Sequence, residues 1–181
     1  MPQLKPKAGR KFLGKSPSLD AIGWDVYVSP HTGRAYGAFR LAVGSQFICI
    51  HTTDFKHIPN SDVLYLNKLN EIIEGLDVFL KLLGTRNVAS FRCWLNQITT
   101  GATGSLAYHH DPVTDPLEPL IFFEISSCTS TVRIQKTTYP KRGNRMRVLL
   151  ENIRAELDRH RSVFISYKRD VDAILESVNK E

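Results

Sequence analysis

The sequence is short of most features that make a function easy to read. Cysteine is scarce: Cys49, Cys93 and Cys128 are widely spaced and form no C-x-x-C pair. An odd, scattered set of this kind reads as free thiols in a reducing compartment, not as a disulfide framework. Cys49 in FICI and Cys93 in FRCWL are expected inside, as small hydrophobes, and Cys128 in SSCTS within reach of solvent. No apolar run approaches the roughly 18 residues that span a bilayer. The N-terminal MPQLKPKAGRKFLGKSPS has charge but no apolar h-region of a secretory signal. A cytoplasmic protein with no membrane partner is the expectation. Catalytic signatures are missing too: there is no G-x-S-x-G, H-E-x-x-H, P-loop lysine motif or G-x-G-x-x-G. TTGATG, at 99–104, has two glycines but no lysine and no strong helix after it, so it reads as a flexible loop. The balance leans away from an enzyme, and no cofactor is expected.

What is present suffices for one folded domain. The chain has 181 residues, 42% of them hydrophobic and 23% charged, a length and mix typical of a single domain with a real core. The charge is unevenly spread. Residues 1–16 hold five basic side chains and no acid, whereas 17–132 hold seven basic against eleven acidic. Residues 133–169 hold eleven basic against three acidic, and 170–181 one basic against four acidic. Two basic segments thus flank a mildly acidic body, a pattern that favours an anionic partner.

Residues 1–20 mix Lys, Pro, Gly and Ser with little to bury and read as a disordered basic arm. Residues 21–181 read as a single globular α+β domain. WDVYV alternates, PHTG is a turn, and RAYGAFRLAV passes through Gly44-Ser45 into QFICIHT, which predicts a three-stranded antiparallel meander over about 22–52. Leu66, Leu69, Ile72, Ile73, Leu76, Phe79, Leu80 and Leu83 recur at spacings of three and four, so a helix follows, with candidate caps from Asn60 to Asp62. ASFRCWLNQIT, LAYHH, PLIFFEIS and STVRIQKTT continue as strands, the last two forming a hairpin around SSCTS. DPVTDPLEP carries three prolines and reads as an exposed loop. Asn144 opens a second helix, with the apolar stripe Met146, Leu149, Leu150, Ile153 and Leu157. SVFISY at 162–167 is β-prone, and Val171, Ile174, Leu175 and Val178 describe a short C-terminal helix. The expected fold is α+β: an antiparallel sheet of about six to eight strands with two main helices and that short third one.

Two places can carry chemistry. In GSLAYHHDP, His109 and Asp111 lie on one face of a strand and can supply two corners of a non-haem Fe-like site, with His160, or else His51 or His57, as third ligand and Arg169 for a co-substrate carboxylate. The pattern fits that chemistry poorly, because 144–161 has helical periodicity and Asp111 precedes a proline that holds it extended at a strand exit. His51, Asp54 and His57 form another polar group, best read as a turn.

The basic stretch RIQKTTYPKRGNRMR is the stronger feature. Arg133, Lys136, Lys141, Arg142, Arg145 and Arg147 surround Tyr139 where a loop enters a helix N-terminus. Cations massed there oppose the helix dipole, and a bound phosphate would relieve the mismatch. Arg147–Glu151 and Arg154–Asp158 can pair along the helix, but Lys141, Arg142 and Arg145 have no such local partner. With Lys7, Arg10 and Lys11 of the arm, these residues suggest a non-catalytic binding or regulatory module for nucleic acid or a nucleoprotein complex, acting through phosphate contacts. The alternatives are an inhibitor or adaptor that meets an acidic protein surface, and a metal-dependent enzyme centred on His109 and Asp111.

Overall fold

A computed structural model of the chain describes residues 7–12, 20–29, 31–43, 46–52, 59–82, 91–95, 104–108, 122–127, 130–135 and 143–180. The chain runs through four strands and a helix, then does so again: β1 (Lys7–Phe12), β2 (Asp20–Val28), β3 (Ala35–Val43), β4 (Gln46–His51), α1 (Ser61–Leu82), β5 (Phe91–Leu95), β6 (Gly104–Tyr108), β7 (Phe122–Ser127), β8 (Ser130–Gln135) and α2 (Gly143–Val178). The architecture is α+β. Among the described residues, the strands form one antiparallel meander in the order β1-β2-β3-β4 and two antiparallel pairs, β5-β6 and β7-β8. β6 lies beside β7, and β8 beside β4.

The meander has four strands where three were expected, because β1 belongs to it. Lys7–Phe12 lies within the stretch expected to be a disordered arm, yet it pairs antiparallel with β2 through a register irregularity between Lys7 and Gly9. Its charges have partners far along the chain: Arg10 meets Asp25 at 3.3 Å, and Lys11 meets Glu156. Gly9 lets β1 close over Trp24, whose ring lies 2.8 Å from where a Cβ would stand. Strands β2 to β4 follow the alternation in their sequences. The registers Val43↔Gln46 and Ser127↔Ser130 leave two-residue connections at 44–45 and 128–129, as a hairpin requires. The turn before β3 places Gly33 at φ 63, in the left-handed region open to glycine.

α1 starts one turn earlier than its apolar stripe. Val63 and Leu64 donate their amides to the Asn60 carbonyl, and Asp62 supplies an acid to the first turn. α2 departs further from expectation. It is one helix of 36 residues, so neither the β-prone 162–167 stretch nor a separate terminal helix exists. Leu150, Ile153, Leu157, His160 and Phe164 continue the stripe at spacings of three and four, Val171 follows two turns on, and all are buried. Val163 and Ile165 favour strand locally, but Phe164 must face the core; Ile165 is left 49% exposed on the outer side of the helix.

The two helices run antiparallel and are tied along their length. Arg147 donates to the Leu80 carbonyl, Arg154 grips Asp77 through two hydrogen bonds of 2.8 and 3.2 Å, Arg161 donates to Asn70, and Lys168 meets Asp62 at 2.9 Å. Arg154 therefore pairs across the helices, and Asp158 is met by Arg161. Both helices cover the same face of the meander. Trp24, Val26, Phe39, Leu41 and Ile50 from the strands bury against Tyr65, Leu69, Ile72 and Leu76 of α1 and Leu150, Ile153, Leu157 and Phe164 of α2. Gly37 on β3 is the seat of this packing. A Cβ there would stand 2.8 Å from the Tyr65 ring and 2.9 Å from that of Phe164, so the rings occupy its place. Gly37→Ala is expected to cost about 1–3 kcal/mol of stability by overpacking, read as a lowered urea midpoint. An unchanged midpoint would mean that the helices can lift from the sheet freely.

Candidate nucleic-acid interface

Because strand side chains alternate, covering one face of the meander with helices decides what the other face carries. Ile22, Trp24, Val26 and Val28 of β2 point at the helices, so Asp25 and Tyr27 point away. On β3 the outward positions are Tyr36, Ala38 and Arg40, and on β4 they are Cys49 and His51. From β1 the outward side chain is Arg10, opposite Asp25.

These positions assemble an aromatic row. Tyr27 and Tyr36 are direct cross-strand partners with ring centroids 4.4 Å apart, and Tyr36 and His51 lie stacked at 6.2 Å. The Tyr36 hydroxyl is hydrogen-bonded to His51 Nδ1 at 3.1 Å, which fixes both rings across β3 and β4. Tyr27, Tyr36 and His51 are half-buried, so part of each residue remains accessible to solvent. Burial, then the neighbouring Tyr36 and Asp25, pushes the Tyr27 phenol up to about 12, which keeps it neutral and a hydrogen-bond donor at ordinary pH. Arg40 is exposed on one side of the row; on the other, Arg10 is half-exposed and balances Asp25. Cations flanking half-exposed rings on a sheet form a surface that can hold bases by stacking and phosphates by charge.

The residues singled out from sequence divide into several groups. Arg10 belongs to this face. Lys11 lies on the other face of β1, against α2, where it meets Glu156. Lys7, Arg133 and Arg145 stand on β1, β8 and α2. Arg145 and Arg147 lie in the opening turns of α2, whose first turn carries no acid, in contrast to α1. Arg147 is spent on the Leu80 carbonyl and on Glu151 at 3.6 Å. Lys136, Tyr139, Lys141, Arg142, His109 and Asp111 lie outside the described residues, as do Asp54 and His57. His51 was read as part of a turn or as an alternative metal ligand, and Tyr27, Tyr36 and Arg40 were missed as functional candidates. Their signal was the outward register of WDVYV and AYGAFRL, in which aromatic and cationic residues take positions that solvent-facing small polar residues could fill.

His160, the candidate third metal ligand, sits in the core. Its ring is fully buried among Trp24, Phe39 and Tyr65, with centroids 5.6, 6.0 and 5.8 Å away, and its Nε2 is hydrogen-bonded to the Tyr65 hydroxyl. Nδ1 finds no partner among the described residues. One turn earlier, Glu156 accepts from Lys11, from Arg159 and, at 3.2 Å, from Trp24 Nε1. Burial works to raise the Glu156 carboxyl, but the hydrogen bonds from Lys11, Arg159 and Trp24 outweigh it and hold the group below the usual carboxylate range. Arg169 is largely exposed beside Asp170. Among the described residues, no three His, Cys, Asp or Glu side chains converge as a metal site requires, and no helix is long and apolar enough to cross a membrane. Comparison with family models, curated proteins and solved structures finds no match to this chain.

Burial lowers the His160 pKa to about 4, below the ordinary 6.5. The unfolded chain therefore binds this proton more readily than the folded one. The resulting stabilisation is complete above about pH 6.5 and is lost as the pH falls towards 4. Between pH 7 and 5 the loss is expected to be about 2 kcal/mol, measured by urea unfolding. His160→Leu is expected to remove most of that slope. A wild-type midpoint that is flat from pH 7 to 5 would show that the imidazole is already protonated, or already free, in the fold.

Proposed function

We propose that the protein is a non-catalytic binding module for single-stranded nucleic acid. Bases stack along Tyr27, Tyr36 and His51, while phosphates meet Arg10, Arg40 and the basic 133–147 segment with Lys141, Arg142 and Arg145. The observation that carries this reading is the aromatic row on the helix-free face of the meander, with the Tyr27 and Tyr36 rings 4.4 Å apart. A duplex hides the faces of its bases in its own stack, whereas a single strand can lay them on such rings, with about 1–3 kcal/mol per stacked base. Stacking tolerates any base, so the binding is weakly sequence-selective. The Arg-rich opening of α2 supports the same reading, since a phosphate there supplies the negative charge that its first turn lacks. A cytoplasmic setting goes with it, because an odd, scattered set of three cysteines suits a reducing compartment.

Fluorescence anisotropy with a labelled single strand tests the proposal. Tyr27→Ala or Tyr36→Ala is expected to weaken binding by about tenfold or more. Replacing Lys141, Arg142 and Arg145 together by Ala is expected to weaken all sequences alike and to flatten the slope of log affinity against log salt by about 2. A wild-type protein with no affinity for single strands at low salt contradicts the reading. Partners that survive nuclease treatment of a pull-down would instead favour an adaptor for an acidic protein.

A further inference from the structure

Beyond the sheet face, one cavity has the build of a small-ligand site. It measures about 490 Å³ and lies where the β2–β3 turn, the end of β4, the N-terminus of α1 and the late turns of α2 come together. That volume falls in the roughly 300–1,000 Å³ range of small-molecule sites. Three observations define its chemistry. Thr52, which lines it, is only 7% exposed, and its Oγ1 has no hydrogen-bond partner among the described residues. A buried hydroxyl without a partner is unfavourable, and a ligand polar atom would remove that cost. Arg34 also lines the cavity, exposed, with no carboxylate paired to its guanidinium among the described residues. Lys168, by contrast, is held between Asp62 at 2.9 Å and Asp172 at 2.5 Å, so its charge is already answered.

These groups ask for a ligand with two different ends. Arg34 and the hydroxyl of Ser61 offer donors suited to a phosphate, bound through the guanidinium fork. Asp172 is half-exposed at its side chain and binds Lys168 with Oδ2, which leaves acceptor capacity for sugar hydroxyls. Tyr36 lines the cavity and is also the middle ring of the aromatic row. We infer that the cavity holds the sugar and phosphate monoester of one nucleotide. Arg34 takes the phosphate, Thr52 donates to the ligand through its otherwise unpartnered hydroxyl, and Asp172 accepts from the sugar. The choice of a nucleotide over another phosphorylated sugar rests on the single-strand reading, through the shared Tyr36. The ligand is either a free nucleoside monophosphate or the phosphorylated end of a bound strand.

Calorimetry of the full chain with adenosine 5′-monophosphate, and separately with adenosine, tests the cavity alone. The monophosphate is expected to bind at least tenfold more tightly than adenosine. Arg34→Gln and Thr52→Val are each expected to cost at least tenfold, with thermal unfolding confirming that both variants fold. Failure of the monophosphate to bind at millimolar concentration, equal affinity for adenosine, or unchanged binding in both variants overturns the inference. The strand arm uses linear single strands with a 5′-phosphate or a 5′-hydroxyl, beside a circular strand of the same composition. Tighter binding of the phosphorylated strand assigns the cavity to strand ends. Equal binding of the two, with the monophosphate still bound, assigns it to the free nucleotide. A circular strand that does not bind, beside a monophosphate that does, removes the sheet-face reading and leaves the cavity standing.

Discussion

The packing of two antiparallel helices onto one face of a four-stranded meander is the constraint from which the other features follow. It depends on the absence of a side chain at Gly37, whose place is filled by the rings of Tyr65 and Phe164. With the helices that close, His160 is forced into the core, where its ring is hydrogen-bonded to Tyr65. Glu156, one turn away on the same helix, survives burial because three donors converge on it, one of them from β1. A buried carboxylate needs such partners. The N-terminal strand therefore completes the core electrostatically, although its own composition is polar and basic.

That arrangement also sorts the cations of a chain whose net charge is +6. Along α2, Arg154, Arg159, Arg161 and Lys168 are spent on carboxylates of α1 or of α2 itself. They hold helices together and contribute little to an external field. Arg40 stands on the face away from the helices, and Arg34 at the β2–β3 turn. Among the described residues, Arg40 at the sheet face and Arg34 at its adjoining turn are thus cations that the helix pairing does not use. The aromatic row lies on that sheet face. A count of basic residues by segment points towards an anion, but only the pairing within the fold separates structural cations from those left for binding.

The parts legible from sequence were those set by local period. Strands β2 to β4 and the stripe of α1 repeat within a few residues, and each appears where the pattern places it. The errors have non-local causes. β1 was hidden because the partner of Lys11 is Glu156, 145 residues away, so its charges looked destined for solvent. The continuity of α2 was hidden because Val163 and Ile165 favour strand, while the pull of Phe164 and Val171 into the core acts only once the sheet exists. Tyr27 and Tyr36 are neighbours through register, and register across a turn is not visible in either strand alone. His160 was weighed for its ring nitrogens, yet the fold uses it as a neutral core side chain.

The most direct measurement of the central claim is photo-crosslinking of the full chain to a uniformly labelled single strand, with the modified peptides located by mass spectrometry. If the sheet face is the platform, crosslinks fall on Tyr27, Tyr36 and His51, and the peptides spanning 133–147 are labelled with them. Crosslinks confined to the outer side of α2 around Val148 and Ile165, with the three rings unmodified, would contradict it.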